Sequence, residues 1–293
     1  MPDSPAKLTL KLALPKGRMQ DGLLSLLADS GIRVSVPARG YRPTVSLAGI
    51  DAKLLKPQNI IEMLDKGTRD LGFAGADWVA ELGAQVVEVL DTGLDPVRIV
   101  AAAPRVLLVQ NGGKLPARPL VVVSEYAKLT TQWIERRARG DQFVRSYGAT
   151  EVFPPEDADC IVDCTATGST LEANGLDIVE DLMRSSTRMY ASAAAMRDPA
   201  KRRVIEDLSV LLRSVLDARK RVMLELNCSA ETLEAVTRAL PCMREPTVSR
   251  LAHDAGYAVK AAVLKDRLPA LIPQLKASGG TDIVISPIAQ VVP

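Results

Sequence analysis

The strongest constraint in this chain is a repeated rhythm: a short apolar run, a loop of small residues, then a pattern with apolar side chains every three or four positions. A parallel sheet covered by helices produces that rhythm, because its strands have no solvent face and read as unbroken apolar runs. Leu8 to Leu14 reads as a strand, Pro15-Lys16-Gly17-Arg18 as a loop, and Met19 to Ser30 as a helix ended by Gly31. Ile60 to Lys66 is a second helix stopped by Gly67, Leu71 to Ala74 a buried strand, and Asp77 is expected to cap a helix through Leu82. Strands follow at Val86 to Leu90 and, beyond the turn Asp91-Thr92-Gly93, at Arg98 to Ala103.

After Pro104 the pattern restarts. A Gly- and Pro-rich connection leads to a strand at Leu120 to Val123, a helix at Lys128 to Arg139, a strand near Phe143 to Ser146, and the strand Cys160 to Cys164 that feeds the loop Thr165 to Thr170. Arg188 to Ala193 and the charged helical pattern Asp198 to Arg219 read as a return to the first lobe and an exit from it. Two similar α/β lobes joined by crossing segments predict a hinged cleft with its ligand at the carboxyl ends of strands. The expected boundaries are 1–104 with 185–219 for lobe I, 105–184 for lobe II, and 220–293 for a third module. In that module Arg221 to Asn227, Pro246 to Leu251, Tyr257 to Leu264 and Asp282 to Ser286 read as strands, with helices from Ser229 to Leu240 and from Asp266 to Ala277. The order β-α-β-β-α-β is the ferredoxin-like split, which suits regulation or assembly when no reactive residues accompany it.

Composition narrows the function. A formal charge of +2, from 37 basic and 35 acidic side chains, lacks the basic stripe of a nucleic-acid protein, and 3% aromatic content argues against a base-stacking platform. His253 is the single histidine, which excludes multi-histidine metal sites. Cys160, Cys164, Cys228 and Cys242 form no C-x-x-C pair and are expected to be reduced. Met1-Pro2-Asp3-Ser4-Pro5 lacks the basic start and apolar core of a signal peptide, and no long uncharged apolar stretch follows, so the expected compartment is the cytoplasm, without membrane or nucleic-acid partners.

The stretch with most chemistry is Ile161-Val162-Asp163-Cys164-Thr165-Ala166-Thr167-Gly168-Ser169-Thr170-Leu171. Backbone N–H groups converge on a phosphate only where side chains are small, hydroxyls add donors, and a following helix adds positive potential. Asp163 at the strand end is placed for sugar hydroxyls or Mg²⁺. A solvated turn with Ser/Thr caps gives the same pattern. Lys16 and Arg18 around Gly17 offer two cations to the cleft, or form a solvated turn. Arg33, Arg39, Arg42, Lys53 and Lys56 face the single acid Asp51 across their run, which suits a polyanionic small molecule or a basic surface. Asp70 and Asp91 sit at strand boundaries, as caps or turn formers, and Arg98 is close enough to Asp91 to pair with it or with a ligand. Cys160 and Cys164 read as core, and His253 as a surface loop residue.

Four motifs in order, L-P-K-G-R, D-L-G-F-A-G-x-D at Asp70 to Asp77, L-D-x-G-x-x-x-x-R-I-V at Leu90 to Val100, and I-V-D-x-T-x-T-G-S-T-L-x-A-N-G-L at Ile161 to Leu176, resemble the ATP phosphoribosyltransferase family. The terminal module, with Pro246-Thr247-Val248-Ser249, is similar to the regulatory domain of that family's long form. The resemblance implies an α/β, two-lobed, periplasmic-binding-protein-like catalytic part plus a ferredoxin-like (βαββαβ) regulatory domain. It also implies Mg²⁺-dependent joining of ATP, through adenine N1, to phosphoribosyl pyrophosphate (PRPP), the first step of histidine biosynthesis. Carried over by motif, Asp163, Thr165, Ala166, Thr167, Gly168, Ser169 and Thr170 would hold PRPP; Lys16, Arg18, Lys56, Asp70, Asp91 and Arg98 would surround ATP and pyrophosphate. Arg18 and Asp163 are the catalytic candidates. Many members carry an acid where this chain has Ala166, which shifts weight to Asp163, with Glu172 as a partial substitute. The terminal module would bind histidine as an inhibitor, through Asn227, Thr247, Ser249 and Ser286, and join a dimer-to-hexamer assembly. A different class of function, a two-lobed nucleotide- or amino-acid-binding regulatory protein without turnover, suits the same cleft.

Overall fold

A computed structural model describes residues 9–243 and 245–292. The Met1-to-Pro5 segment and Leu8, where the first strand was expected to begin, lie outside the described residues. The chain divides into two compact units, one reaching to Ala28 and resuming over Ile32–Ser209, the other made of Asp29–Gly31 and the residues from Val210 onward.

The first unit contains β1 (Leu10–Pro15), β2 (Val34–Ser35), β3 (Thr44–Val45), β4 (Ile50–Leu55), β5 (Leu71–Gly75), β6 (Val86–Pro104), β7 (Val121–Ser124), β8 (Gln142–Arg145), β9 (Cys160–Thr165) and β10 (Leu176–Ser192). The short β2 and β3 make a ribbon, and the others form one eight-stranded sheet in the order β4-β1-β5-β10-β6-β9-β7-β8. Pairing is parallel within β4-β1-β5 and within β9-β7-β8. Between these wings run β10 and β6, antiparallel to each other and to their outer neighbours. This is the two-lobed, periplasmic-binding-protein-like arrangement, with two long strands crossing between lobes.

The core explains the apolar runs. Along β6, Ile99, Ala101 and Ala103 point to a cluster with Trp133, Val122 and Val162, while Val100 and Ala102 point to the opposite cluster with Val123, Ile161 and Leu171. Both faces are therefore covered, by the helices Ala127–Arg137 and Ser169–Ala173 respectively. In the other wing Ile60, Ile61 and Leu64 of the helix Pro57–Asp65 pack on Ala13, Ala74 and Tyr190.

The structure corrects several expectations. Asp91-Thr92-Gly93 does not separate two strands: β6 runs on for 19 residues. The positive φ of Gly93 (65°) falls where the register slips between Thr187 and Arg188, and that of Asp95 (47°) where it slips between Ser185 and Thr187, so the extra residues bulge out while pairing continues. Arg188 to Ala193, expected as a return to the first lobe, is the end of the 17-residue β10 followed by the first residue of the helix Ala193–Arg197. The connection after Pro104 includes a helix, Arg105–Gln110. Gly75, not Asp77, occupies the cap position of the helix Ala76–Leu82.

The second unit pairs β11 (Arg221–Cys228), β12 (Thr247–Arg250), β13 (Tyr257–Leu264) and β14 (Thr281–Pro287) in the antiparallel order β12-β13-β11-β14. Alternate residues of β11, Val222, Leu224, Leu226 and Cys228, meet Val236, Leu271 and Leu275 of the helices Leu233–Ala239 and Leu268–Ala277. That is the ferredoxin-like fold. Its helices start later than expected, since Thr232 rather than Ser229 sits at one cap position and Asp266 lies in a short 3₁₀ turn before the other.

Gly72 shows how closely the first sheet is covered. A Cβ there would sit 2.5 Å from Ile60 Cγ2 and 3.3 Å from the Ala13 Cβ. Gly72→Ala is expected to lower unfolding stability by about 1–3 kcal/mol through overpacking, read by urea denaturation.

Candidate active site

The carboxyl ends of the parallel strands in both wings converge on a cleft of about 180 Å³. From the first wing, β1 turns at Gly17, whose φ of 88° lets the chain reverse sharply and present Lys16 and Arg18. Pro57 follows β4, and Asp77 and Trp78 follow β5. The second wing supplies Glu125 and Tyr126 after β7 and Cys164 in β9, while Met19 and, from the crossing strands, Asp95, Val97, Ser185 and Ser186 complete the lining.

A buried polar network ties these walls together. The Tyr126 hydroxyl donates to Asp77 Oδ2 at 2.8 Å, and its ring stacks on Trp78 with centroids 4.8 Å apart. Ser185 Oγ donates to Asp77 Oδ1 at 2.6 Å and accepts from the Asp77 N–H at 3.1 Å. Burial, reinforced by the Asp77 charge, raises the Tyr126 phenol above its ordinary value, so it stays a hydrogen-bond donor. Burial and then the nearby Asp163 raise the Cys164 thiol, which keeps it protonated and unreactive at neutral pH. Burial pushes Cys160 up to about 12. Gly75 is required here, because a Cβ would collide with the Asp77 carboxylate.

At the carboxyl end of β9 the loop from Thr165 to Thr170 is exposed apart from Thr165 and the half-buried Gly168. Gly168 adopts φ 91° and its N–H donates to Thr165 Oγ1 at 2.9 Å; Thr167 Oγ1 donates to Ser169 Oγ at 3.0 Å and accepts from the Ser169 N–H at 3.3 Å. These bonds hold the loop tight while its hydroxyls stay accessible to a ligand. Asp163 precedes it, accepts from the Cys164 N–H at 2.7 Å, and is pushed up to about 6, chiefly by burial, with the charges of Glu151 and Glu125 adding. Arg98 pairs in register with Thr165 across the β6–β9 ladder and is engaged by Asp181 at 2.9 Å.

The other sequence candidates are placed unequally. Lys56 is exposed at the cap position before Pro57, beside the cleft. Asp91 accepts from the cleft-lining Ser186 Oγ at 2.7 Å and lies 3.4 Å from Arg188 Nε. Asp70 is not brought to the cleft. It precedes β5, at the end of the sheet opposite the strand carboxyl termini, and is buried with the Lys201 ammonium at 2.8 Å and the Lys11 N–H at 2.8 Å. The four effector candidates are not brought together either. Thr247 and Ser249 lie on the edge strand β12 and Ser286 on the opposite edge β14, three ladder spacings of about 4.8 Å away. Asn227 donates to Asp282 Oδ2 at 3.1 Å. Trp78, Asp95, Glu125, Tyr126, Ser185 and Ser186 line the cleft without having been singled out as site residues; Glu125 and Tyr126 directly follow an apolar run, the position where a parallel strand delivers its ligand residues.

Residues 56–214 match the family described as ATP phosphoribosyltransferase, and residues 218–290 match the HisG C-terminal domain. The chain belongs to the ATP phosphoribosyltransferase family. It is 37% identical to the ATP phosphoribosyltransferase of Chlorobium phaeovibrioides, over 94% of each chain, and 33% identical to that of Pelotomaculum thermopropionicum, over 97% and 99%. In fold it is similar to a solved ATP phosphoribosyl transferase (HisG:HisZ) complex from Thermotoga maritima, with a TM-score of 0.62 and 23% identity over 71% of this chain and 99% of that one. The family's two-part long form accounts for both units, and its reaction is the first step of histidine biosynthesis.

Asp163 connects site chemistry to stability. Its native carboxyl titrates near 6, against about 3.9 in an unfolded chain, so the folded state binds its proton more tightly. The resulting stability is present at low pH and is lost as pH rises to 6. Asp163→Asn is therefore expected to raise stability at pH 7.5 by about 1–2 kcal/mol, with no gain at pH 4, in thermal unfolding at the two pH values. A destabilised Asn variant at pH 7.5 would contradict this.

Proposed function

We propose that the loop Asp163–Thr170 and the cations Lys16 and Arg18 divide the two polyanionic substrates of the family's reaction between them. Thr165, Ala166, Thr167, Gly168, Ser169 and Thr170 take the 5′-phosphate of PRPP through backbone N–H groups and hydroxyls. Asp163 accepts from the ribose hydroxyls. Lys16 and Arg18, with Lys56 beside them, hold the ATP phosphates and the departing pyrophosphate; Arg98 contributes from the strand next to the loop, and Asp91 acts indirectly through Ser186. The observation that carries this reading is the exposed small-residue loop at the end of β9, in the same sheet whose opposite wing offers Lys16 and Arg18 to the cleft.

The N1 lone pair of adenine forms the new bond to ribose C1 as the C1–O bond to pyrophosphate breaks. Such a displacement depends on alignment of the two partners and on charge stabilisation, and no nucleophilic side chain is needed. Among the described residues no group of three or more His, Cys, Asp or Glu side chains makes a ligand cage. Mg²⁺ commonly uses one or two carboxylates plus substrate phosphates and waters, a need that Asp95 or Glu125 at the cleft fits. Mg²⁺ would neutralise charge on the pyrophosphate. Histidine is the proposed inhibitor, bound by the ferredoxin-like unit through residues of one sheet edge, and dimer and hexamer are the proposed assemblies. The free thiols suit the reducing cytoplasm.

With ATP, PRPP and Mg²⁺ the protein should form phosphoribosyl-ATP, followed by ultraviolet absorbance; Asp163→Ala and Thr170→Ala should each lose on the order of 100-fold in kcat/KM for PRPP. Absence of product with fresh PRPP would refute the reading. Because a protonated Asp163 no longer serves as a charged acceptor, kcat/KM for PRPP should fall as pH drops through about 6, and that acid limb should vanish in Asp163→Asn. Added histidine should slow the wild type and slow Thr247→Ala less; an equal effect on both would remove Thr247 from the inhibitor site.

A further inference from the structure

Glu81, outside the cleft, makes an unusual pair of contacts. It lies on the helix Ala76–Leu82 of the first wing and is 8% exposed. Its Oε1 accepts from the Lys128 N–H and its Oε2 from the Leu129 N–H, both at 3.0 Å. Those amides belong to the first turn of the helix Ala127–Arg137 in the second wing, whose own cap residue, Tyr126, supplies no side-chain cap. One wing thus caps a helix of the other. Four residues earlier on the same helix, Asp77 takes the Tyr126 hydroxyl, so two carboxylates spaced one helical turn apart grip the start of the same opposing helix. Among the described residues neither carboxylate has an ion-pair partner; hydroxyls and amides compensate the charges, with the positive end of the Ala127–Arg137 dipole facing Glu81.

We propose that Glu81 is a positioning residue that sets the separation of the cleft walls, and hence the distance between the cations after β1 and the groups after β7 and β9. The inference rests on the cleft being the substrate site proposed above. Moving the wings apart leaves two amides uncapped and a carboxylate to be resolvated. Loss of an N-cap of this kind shifts a population by about 2- to 30-fold. The population lost is the one that binds both substrates, so both affinities weaken together, whereas saturating substrates restore the closed arrangement.

The test uses the full chain with Glu81→Ala and the nearly isosteric Glu81→Gln, which keeps one carbonyl acceptor. Measured are kcat, KM for ATP and for PRPP, the Kd of ATP by calorimetry, and Tm. Glu81→Ala is expected to raise both KM values and the ATP Kd by about 2- to 30-fold, and by a larger factor than any change in kcat, and Glu81→Gln to fall between it and the wild type. Where Ala fails to fold, Gln decides. A lowered Tm with unchanged KM would make Glu81 merely structural and overturn the proposal, as would an effect on one substrate alone or a loss confined to kcat. A wild type that binds ATP but forms no product defeats the reaction proposed above and leaves the ATP Kd to decide Glu81.

Discussion

The antiparallel pairing of β6 with β10 is the interaction on which the rest of the catalytic unit depends. Everything in the first wing hangs from β10 through β5, and everything in the second from β6 through β9. A parallel strand delivers its useful residues at its carboxyl end. A pair of long antiparallel crossing strands is what allows two such helix-covered wings to face their carboxyl ends toward one cleft. Bulges and positive φ values at Gly93 and Asp95 bend the pair beside the site, where Asp95 accepts from Thr187 Oγ1 at 2.8 Å.

Across that hinge Trp78 stacks on Tyr126, and the contacts beside the stacked rings are polar and specific. An apolar seam would bind the wings without regard to register, since burial of apolar area is non-directional. Asp77 and Glu81 instead meet a particular hydroxyl and two particular amides, so the walls are held in one alignment. Each of these groups is costly to bury unpaired, which makes the network sensitive to the loss of any member. Lys16 and Arg18 remain at the mouth, and the loop after Asp163 presents hydroxyls on an exposed turn. Rigid positioning and accessible anion donors together are what a displacement between two polyanions requires.

Much of this was legible in the residues. The apolar runs at Leu71 to Ala74 and Cys160 to Cys164, the loop from Thr165 to Thr170, and Lys16 and Arg18 around Gly17 all stand where a strand-loop-helix reading puts them. Local signals failed where a residue had two uses. Asp91-Thr92-Gly93 has the composition of a turn, yet it bulges inside a continuous strand because β10 supplies pairing on both sides of it. Asp77 has the type and place of a helix cap, but its partners lie 49 and 108 residues away. Asp70 opens a stretch that resembles a family motif, and its carboxylate is spent on Lys201, 131 residues on.

The sequence by itself determined the alternation of strands and helices, the family and the small, hydroxylated composition of the loop Thr165 to Thr170, because each depends on spacing along a few neighbouring residues. Only the tertiary structure decided which carboxylates line the cleft, which bridge the wings and which are buried ion pairs. An aspartate's role is set by the charge, donors and solvent that meet it, and those arrive from strands and helices far away in the chain. The same reasoning separates Thr247 from Ser286, polar residues of one module that sheet order places on opposite edges.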